Sequence, residues 1–160
     1  MPVGHFLGGV AALIHDPKTQ TYLLLRRLDS RDFGAGNWEC ITGRVDQGES
    51  YEEALHREAQ EESGAQVQID FIVSTTHFHR GAPTPENELL GIIYACTLLS
   101  DPHQLTITEH SAHHWMMRDE IAAFLPETHW LRTVIERAET IRAHTPPELV
   151  TFWHEVGTRV

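Results

Sequence analysis

One segment constrains this chain more than any other: a helix whose two ends are marked and whose apolar side carries carboxylates. Ser50 and Glu53 form an S-x-x-E capping box, which sets the helix start. Gly64 suits the left-handed position just past the last turn. At about 100° per residue the segment divides into two sides. Glu52, Glu53, His56, Arg57, Gln60 and Ser63 share one side. Tyr51, Ala54, Leu55, Glu58, Ala59 and Glu62 share the other, with Glu61 at its edge. Glu58 and Glu62 therefore project among apolar positions, one turn apart. Like charges at this spacing cost roughly 0.2–0.5 kcal/mol even on an exposed helix. Unpaired charges at the margin of a core cost more. A hard divalent cation held by carboxylate oxygens would neutralise them. On spacing alone, a solvated acidic helix with Arg57 paired to its neighbours is an equally good reading.

The wider pattern separates the two. Gly43 is followed after five residues by Glu49, and after seven more by Arg57-Glu58-Ala59-Gln60-Glu61-Glu62-Ser63-Gly64-Ala65. From Gly43 to Ala65 this resembles the Nudix box at every fixed position. Ala59 and Ala65 stand where a larger aliphatic residue is usual. The resemblance implies an α/β protein, a Nudix α/β/α sandwich with a mixed central sheet, over about residues 6–144. It implies that Glu58 and Glu62 are the principal metal ligands and that Glu61 is a further ligand, or a helper through metal-bound water. It implies that Arg57 orients the glutamates by ion pairing and that the Gly43 carbonyl faces the metal. Glu49 is expected to support the loop and helix geometry. The implied cofactor is Mg2+, with Mn2+ an admissible substitute. The implied reaction is attack of water on a phosphorus of a diphosphate linkage. The metal neutralises phosphate oxygens and lowers the pKa of the attacking water. Candidates for the base are Glu58, Glu61 and Glu109. Glu109 precedes the expected strand at 113–117, where several Nudix enzymes place an extra glutamate; its bland reading is an exposed loop acid.

Charge gives that metal a second purpose. The formal net charge is −11, a field that repels nucleic acid and anionic membranes alike. Neither is expected as a partner. The same field repels a small phosphorylated substrate, so local cations are needed. Lys18 is the one lysine, and the other basic residues are arginines, which suit paired hydrogen bonds to phosphate. With 160 residues and 41% hydrophobic content, one domain over 1–160 is expected, with a tail from about 145. No apolar run approaches the roughly 20 residues of a membrane span. The opening residues do not read as a secretory leader. Cys40 and Cys96 read as free thiols in strands and fit a reducing cytoplasm.

Along the chain, strands are expected at Phe6–Ile14, Tyr22–Arg27, Trp38–Ile41, Val67–His79, Leu89–Leu99 and Ala112–Met117. Gly8-Gly9 signals a bulge or a close backbone approach in the first of them. Asp16-Pro17-Lys18-Thr19 is a turn and Asp29–Gly36 a loop. Helices are expected at Asp119–Leu125 and at Thr128–Ala143. The second has its apolar stripe at Trp130, Leu131, Val134, Ile135, Ala138 and Ile141. The tail carries Leu149, Val150, Phe152, Trp153 and Val156. It is expected to dock on this subunit or on a partner, which admits a homodimer.

Substrate choice lies outside the box. Trp38-Glu39-Cys40-Ile41-Thr42-Gly43 lacks the common Pro-Gly-Gly. It is similar to the Thr-Gly form of dihydroneopterin triphosphate pyrophosphohydrolases and some nucleoside triphosphate members. The signatures of NADH and coenzyme A enzymes are missing, and His79-Arg80 stand where ADP-ribose enzymes carry a proline. The resemblance thus implies a nucleoside or pterin triphosphate, cleaved to a monophosphate and pyrophosphate. Alternatives are ADP-ribose, a dinucleoside polyphosphate, a non-catalytic nucleotide sensor, or an isomerase of the isopentenyl diphosphate type. Arg27 and Arg44 are candidates to hold phosphate, against a plain role in surface solubility. Trp38, Phe78 and Phe6 are candidates to stack on a base, against a place in the core. His77, His79, His110, His113 and His114 raise a zinc alternative, which irregular spacing and the lack of cysteine pairs oppose.

Overall fold

Period-two burial organises the sheet. In the computed structural model, which describes residues 4–31, 33–146 and 148–149, strand β1 (Leu7–Asp16) sends Val10, Ala12 and Ile14 to one face and Ala11 and Leu13 to the other. Both faces are covered, which explains why β1 is a nearly continuous apolar run. The turn after it is built by Asp16, whose carboxylate accepts from the Lys18 N–H and the Thr19 hydroxyl. It leads into β2 (Thr21–Arg27). The remaining strands are β3 (Trp38–Glu39), β4 (Ile41–Arg44), β5 (Val67–His79), β6 (Glu88–Leu98) and β7 (His110–Met117).

These seven strands form one mixed sheet with a main path β3-β2-β1-β6-β5; β4 pairs with β1 and β7 with β2. The β1–β6 pairing is parallel, and the others are antiparallel. Helix α1 (Tyr51–Ser63) packs Ala54, Leu55 and Ala59 against Val10, Ala12, Leu23 and Ile41 on one face. Helices α2 (Arg118–Phe124) and α3 (Trp130–His144) cover the other. There Ile121, Leu131, Ile135 and Ala138 meet Leu13, Leu24, Phe71 and Val73. The α/β/α sandwich expected from the sequence is the observed fold.

Two local readings, at Trp38–Ile41 and at Ser63, need correction, and the alternative left open at Gly8-Gly9 is decided. The strand expected over Trp38–Ile41 is two strands: Trp38 and Glu39 pair with β2, the chain bends at Cys40, and Ile41–Arg44 pair with β1. Gly8-Gly9 marks a close approach, because a Cβ on Gly9 would lie 2.8 Å from the Leu89 side chain. Ser63 is fully buried although its angular position puts it on the polar side. Its hydroxyl donates to the Ala59 carbonyl, and the incoming segment before β7 covers it. No described helix is long and apolar enough to cross a membrane. Val150, Phe152, Trp153 and Val156 of the tail lie outside the described residues.

Candidate active site

The site is assembled around both ends of α1. At its start, the Ser50 hydroxyl accepts from the Glu53 N–H at 3.1 Å, and the Glu53 carboxylate accepts from the Ser50 N–H at 2.8 Å. At its end, Gly64 turns the chain at φ 69°, a conformation that favours glycine. The last carbonyls of a helix need partners, and here another part of the chain supplies them. The Thr106 and Thr108 N–H groups donate to the Ser63 and Glu62 carbonyls at 3.0 and 3.1 Å. The Thr108 hydroxyl donates to the Glu61 carbonyl at 3.0 Å. These bonds bring Glu109 to the end of α1.

Strand β4 supplies the floor. Gly43 pairs with Val10, and a Cβ at Gly43 would lie 2.0 Å from the Glu58 carboxyl carbon. Glycine alone leaves room for that side chain to lie over the strand. Arg57 is held by five hydrogen bonds. Its Nε and Nη2 donate to the two oxygens of Glu49 at 2.8 and 3.0 Å, a bidentate pair. Nη1 donates to Glu58 at 2.8 Å and Glu61 at 3.2 Å, and Nη2 also donates to the Arg44 carbonyl at 2.9 Å. Arg57 in turn holds the Glu49 carboxyl low, at about 2.

Glu62 is the anomaly. It is 7% exposed, and its Oε2 has no hydrogen-bond partner among the described residues. Burial pushes its pKa up to about 8, with the negative charges of Glu39, Glu58 and Glu109 adding to the effect. Burial also raises Glu58, although Arg57 opposes the shift. Glu61, by contrast, is 58% exposed along its side chain. Glu109 forms an ion pair with Arg31 at the rim.

The structure therefore gathers Gly43, Arg57, Glu58, Glu61 and Glu62, and sets Glu109 beside them. The substrate candidates are more scattered. Arg27 is turned toward Glu39, which its Nη1 meets at 2.7 Å. The Arg44 side chain is exposed. Trp38 packs on the α3 side of the sheet, stacked on His114 and edge-on to Phe124. Phe78 stacks on Phe33 at 5.7 Å, and the Arg80 guanidinium lies over the Phe33 ring. Phe6 is exposed. His77 and His79 lie with ring centroids 5.9 Å apart, but the other histidines do not join them: His77 bonds Glu88, His110 bonds Glu39, and His114 stacks on Trp38. Among the described residues no three His, Cys, Asp or Glu side chains stand in ready coordination geometry. Glu58 points to Arg57 and Glu109 to Arg31.

One residue of the site escaped the sequence reading. Glu39 is 6% exposed and contributes to the charge felt by Glu62. Its signal was a carboxylate between Trp38 and Cys40 in a strand with no evident partner.

Comparison with known proteins agrees with this geometry. A family model for the NUDIX domain matches residues 5–138. The dihydroneopterin triphosphate diphosphatase of Escherichia coli is 28% identical over 126 residues, covering 71% of this chain and 80% of that protein. The solved structure of the Escherichia coli dihydroneopterin triphosphate pyrophosphohydrolase is similar with a TM-score of 0.61 and 25% identity, covering 83% of this chain and 96% of that one. The crystal structure of the MutT protein from Methanosarcina mazei is similar in fold with a TM-score of 0.69 at 24% identity, covering 89% of this chain and 99% of that one. With the NUDIX model spanning most of its length and the box folded around α1, the chain belongs to the Nudix family and is a Nudix hydrolase.

Proposed function

We propose that this Nudix hydrolase is a magnesium-dependent pyrophosphohydrolase that cleaves a nucleoside or pterin triphosphate to a monophosphate and pyrophosphate. The observation that carries the proposal is the buried Glu62 carboxylate, unpartnered at Oε2 and facing three other acids. A buried charge without a partner is expensive, and a divalent cation with oxygen ligands is the group that fits this donor set. Glu58, next to it over the cradle left by Gly43, has the same preference. Glu58, Glu62 and the Gly43 carbonyl would hold the ion, with Glu61 at the exposed edge. The bound ion supplies charge neutralisation of the phosphates and a more acidic attacking water.

The chain's own groups do the rest. Arg57 orients Glu58 and Glu61 while Glu49 holds Arg57 in place. We assign the base to Glu109: Glu58 would be taken up by the ion, and Glu61 is held by Arg57 inside the same network as Glu49 and Glu58. The Glu109 backbone is fixed by Thr108, and its carboxylate is half-exposed at the rim, within reach of water and paired among the described residues to Arg31. Arg31 and Arg44, exposed near the box, would meet the distal phosphates of an anionic substrate. The Thr42-Gly43 form of the box and the similarity to a dihydroneopterin triphosphate diphosphatase support a triphosphate substrate. The free thiols Cys40 and Cys96 support a reducing, cytoplasmic setting.

The test is a product analysis over nucleoside triphosphates, oxidised nucleotides, dihydroneopterin triphosphate, ADP-ribose and dinucleoside polyphosphates with Mg2+ present. Triphosphates are expected to give equimolar monophosphate and pyrophosphate. Turnover confined to ADP-ribose or dinucleotides would overturn the substrate assignment.

A further inference from the structure

Glu39 lies inside the sheet on the α1 side, and its carboxylate is met from three strands. Arg27 on β2 donates through Nη1 to both oxygens, at 2.7 and 2.9 Å. Thr42 on β4 donates through its hydroxyl at 3.1 Å. His110 on β7 meets it through Nε2 at 3.0 Å, and a carboxylate acceptor places the ring proton on that nitrogen. The His110 side chain is 3% exposed.

This cluster is a poor device for stability alone. Buried ion pairs are often no better than apolar residues of the same volume. Here the Nε of Arg27 and the Nδ1 of His110 are buried without a partner among the described residues. A partly satisfied polar network is costly. What it does accomplish is positional. Two of the three donors adjoin the reaction machinery: Thr42 precedes Gly43, and His110 follows Glu109.

We infer that Glu39 is a positioning residue that joins β4 to β7, fixing the Gly43 carbonyl through Thr42 and Glu109 through His110. Both oxygens of the Glu39 carboxylate are taken up by protein donors, so its part is to orient rather than to bind. The inference rests on the metal reading of Glu58 and Glu62, and it goes further by naming what sets their surroundings.

Outer groups that orient metal-binding residues typically change metal affinity or activity by about 10- to 100-fold when removed. The test measures Mn2+ binding to the substrate-free protein by electron paramagnetic resonance, together with kcat and KM, for five proteins: wild type, Glu39→Gln, His110→Ala, His110→Gln and Glu62→Gln. Glu39→Gln keeps the shape but sets an amide against three donors. It is expected to weaken Mn2+ binding and lower kcat by about 10-fold or more, with KM little changed. His110→Ala should do the same, while His110→Gln, whose amide can still donate to Glu39, recovers most of the loss.

Mn2+ affinity and kcat of Glu39→Gln within threefold of wild type would overturn the inference, as would equal behaviour of the two His110 variants. Should Glu39→Gln not fold by near-ultraviolet circular dichroism, the His110 pair decides. If Glu62→Gln binds Mn2+ as wild type does, the metal reading falls and takes this inference with it. If Glu62→Gln loses Mn2+ and Glu39→Gln does not, the inference alone fails.

Discussion

Glu62 carries a measurable signature of its setting. Its pKa stands at about 8, above the ordinary 4.5 of a glutamate. Between those two pH values the folded protein holds a proton that the unfolded chain releases. Stability of the metal-free protein therefore falls as pH rises through that window. A divalent cation binds the ionised, folded form and opposes the loss. Thermal melts in EDTA are expected to show Tm falling from pH 5 to pH 8.5, with Mg2+ restoring Tm mainly at the upper end. Glu62→Gln should remove most of that slope, and equal slopes in variant and wild type would contradict the reading. Gly43 makes a second residue-scale case. A methyl group there would occupy the Glu58 carboxylate position, so Gly43→Ala must displace Glu58. Misplacement of a catalytic group by about 1 Å can cost about 100-fold in rate. We expect a loss of that order in kcat, with far-ultraviolet circular dichroism unchanged.

Among the elements, α1 was readable because its limits are set by neighbours in sequence. Ser50 and Glu53 cap each other across three residues, and Gly64 needs only its own φ. The inward placement of Glu58 and Glu62 followed from helical angle in the same way. Ser63 did not follow, because what covers it arrives from Thr106 and Thr108, more than forty residues later. The division of β3 from β4 was hidden for a like reason: the bend at Cys40 marks a change of partner strand, which alternation within the segment does not encode. Glu39 looked idle because two of its three partners, Arg27 and His110, stand 12 and 71 residues away. Helix α3 shows the same limit. Its apolar stripe was plain, yet Arg142 also reaches Tyr22 at 2.9 Å and Glu139 at 3.2 Å, and approaches the buried Asp70 at 3.7 Å. Leaving such groups unsatisfied costs about 1–3 kcal/mol. Arg142→Met should lower unfolding stability in urea by that amount and leave kcat unchanged. This network lies across the sheet from α1, so an equal loss of activity would mean that the two faces are coupled.

At the scale of the whole molecule, the sheet separates two tasks. The α2–α3 side is closed by apolar packing and the Tyr22–Arg142 network. The α1 side combines a second apolar core with a row of acids at its margin. A net charge of −11 sharpens the contrast, since an acidic protein gains an anionic substrate only where a cation intervenes. The most direct measurement is the rate of pyrophosphate release from the best triphosphate substrate, for wild type and Glu62→Gln, each with Mg2+ and with EDTA. The expected result is equimolar pyrophosphate and monophosphate from the wild type with Mg2+, none in EDTA, and a loss of at least about 100-fold in Glu62→Gln, comparable to removing a principal electrostatic stabiliser. Turnover by Glu62→Gln at the wild-type rate, or undiminished release in EDTA, would contradict it.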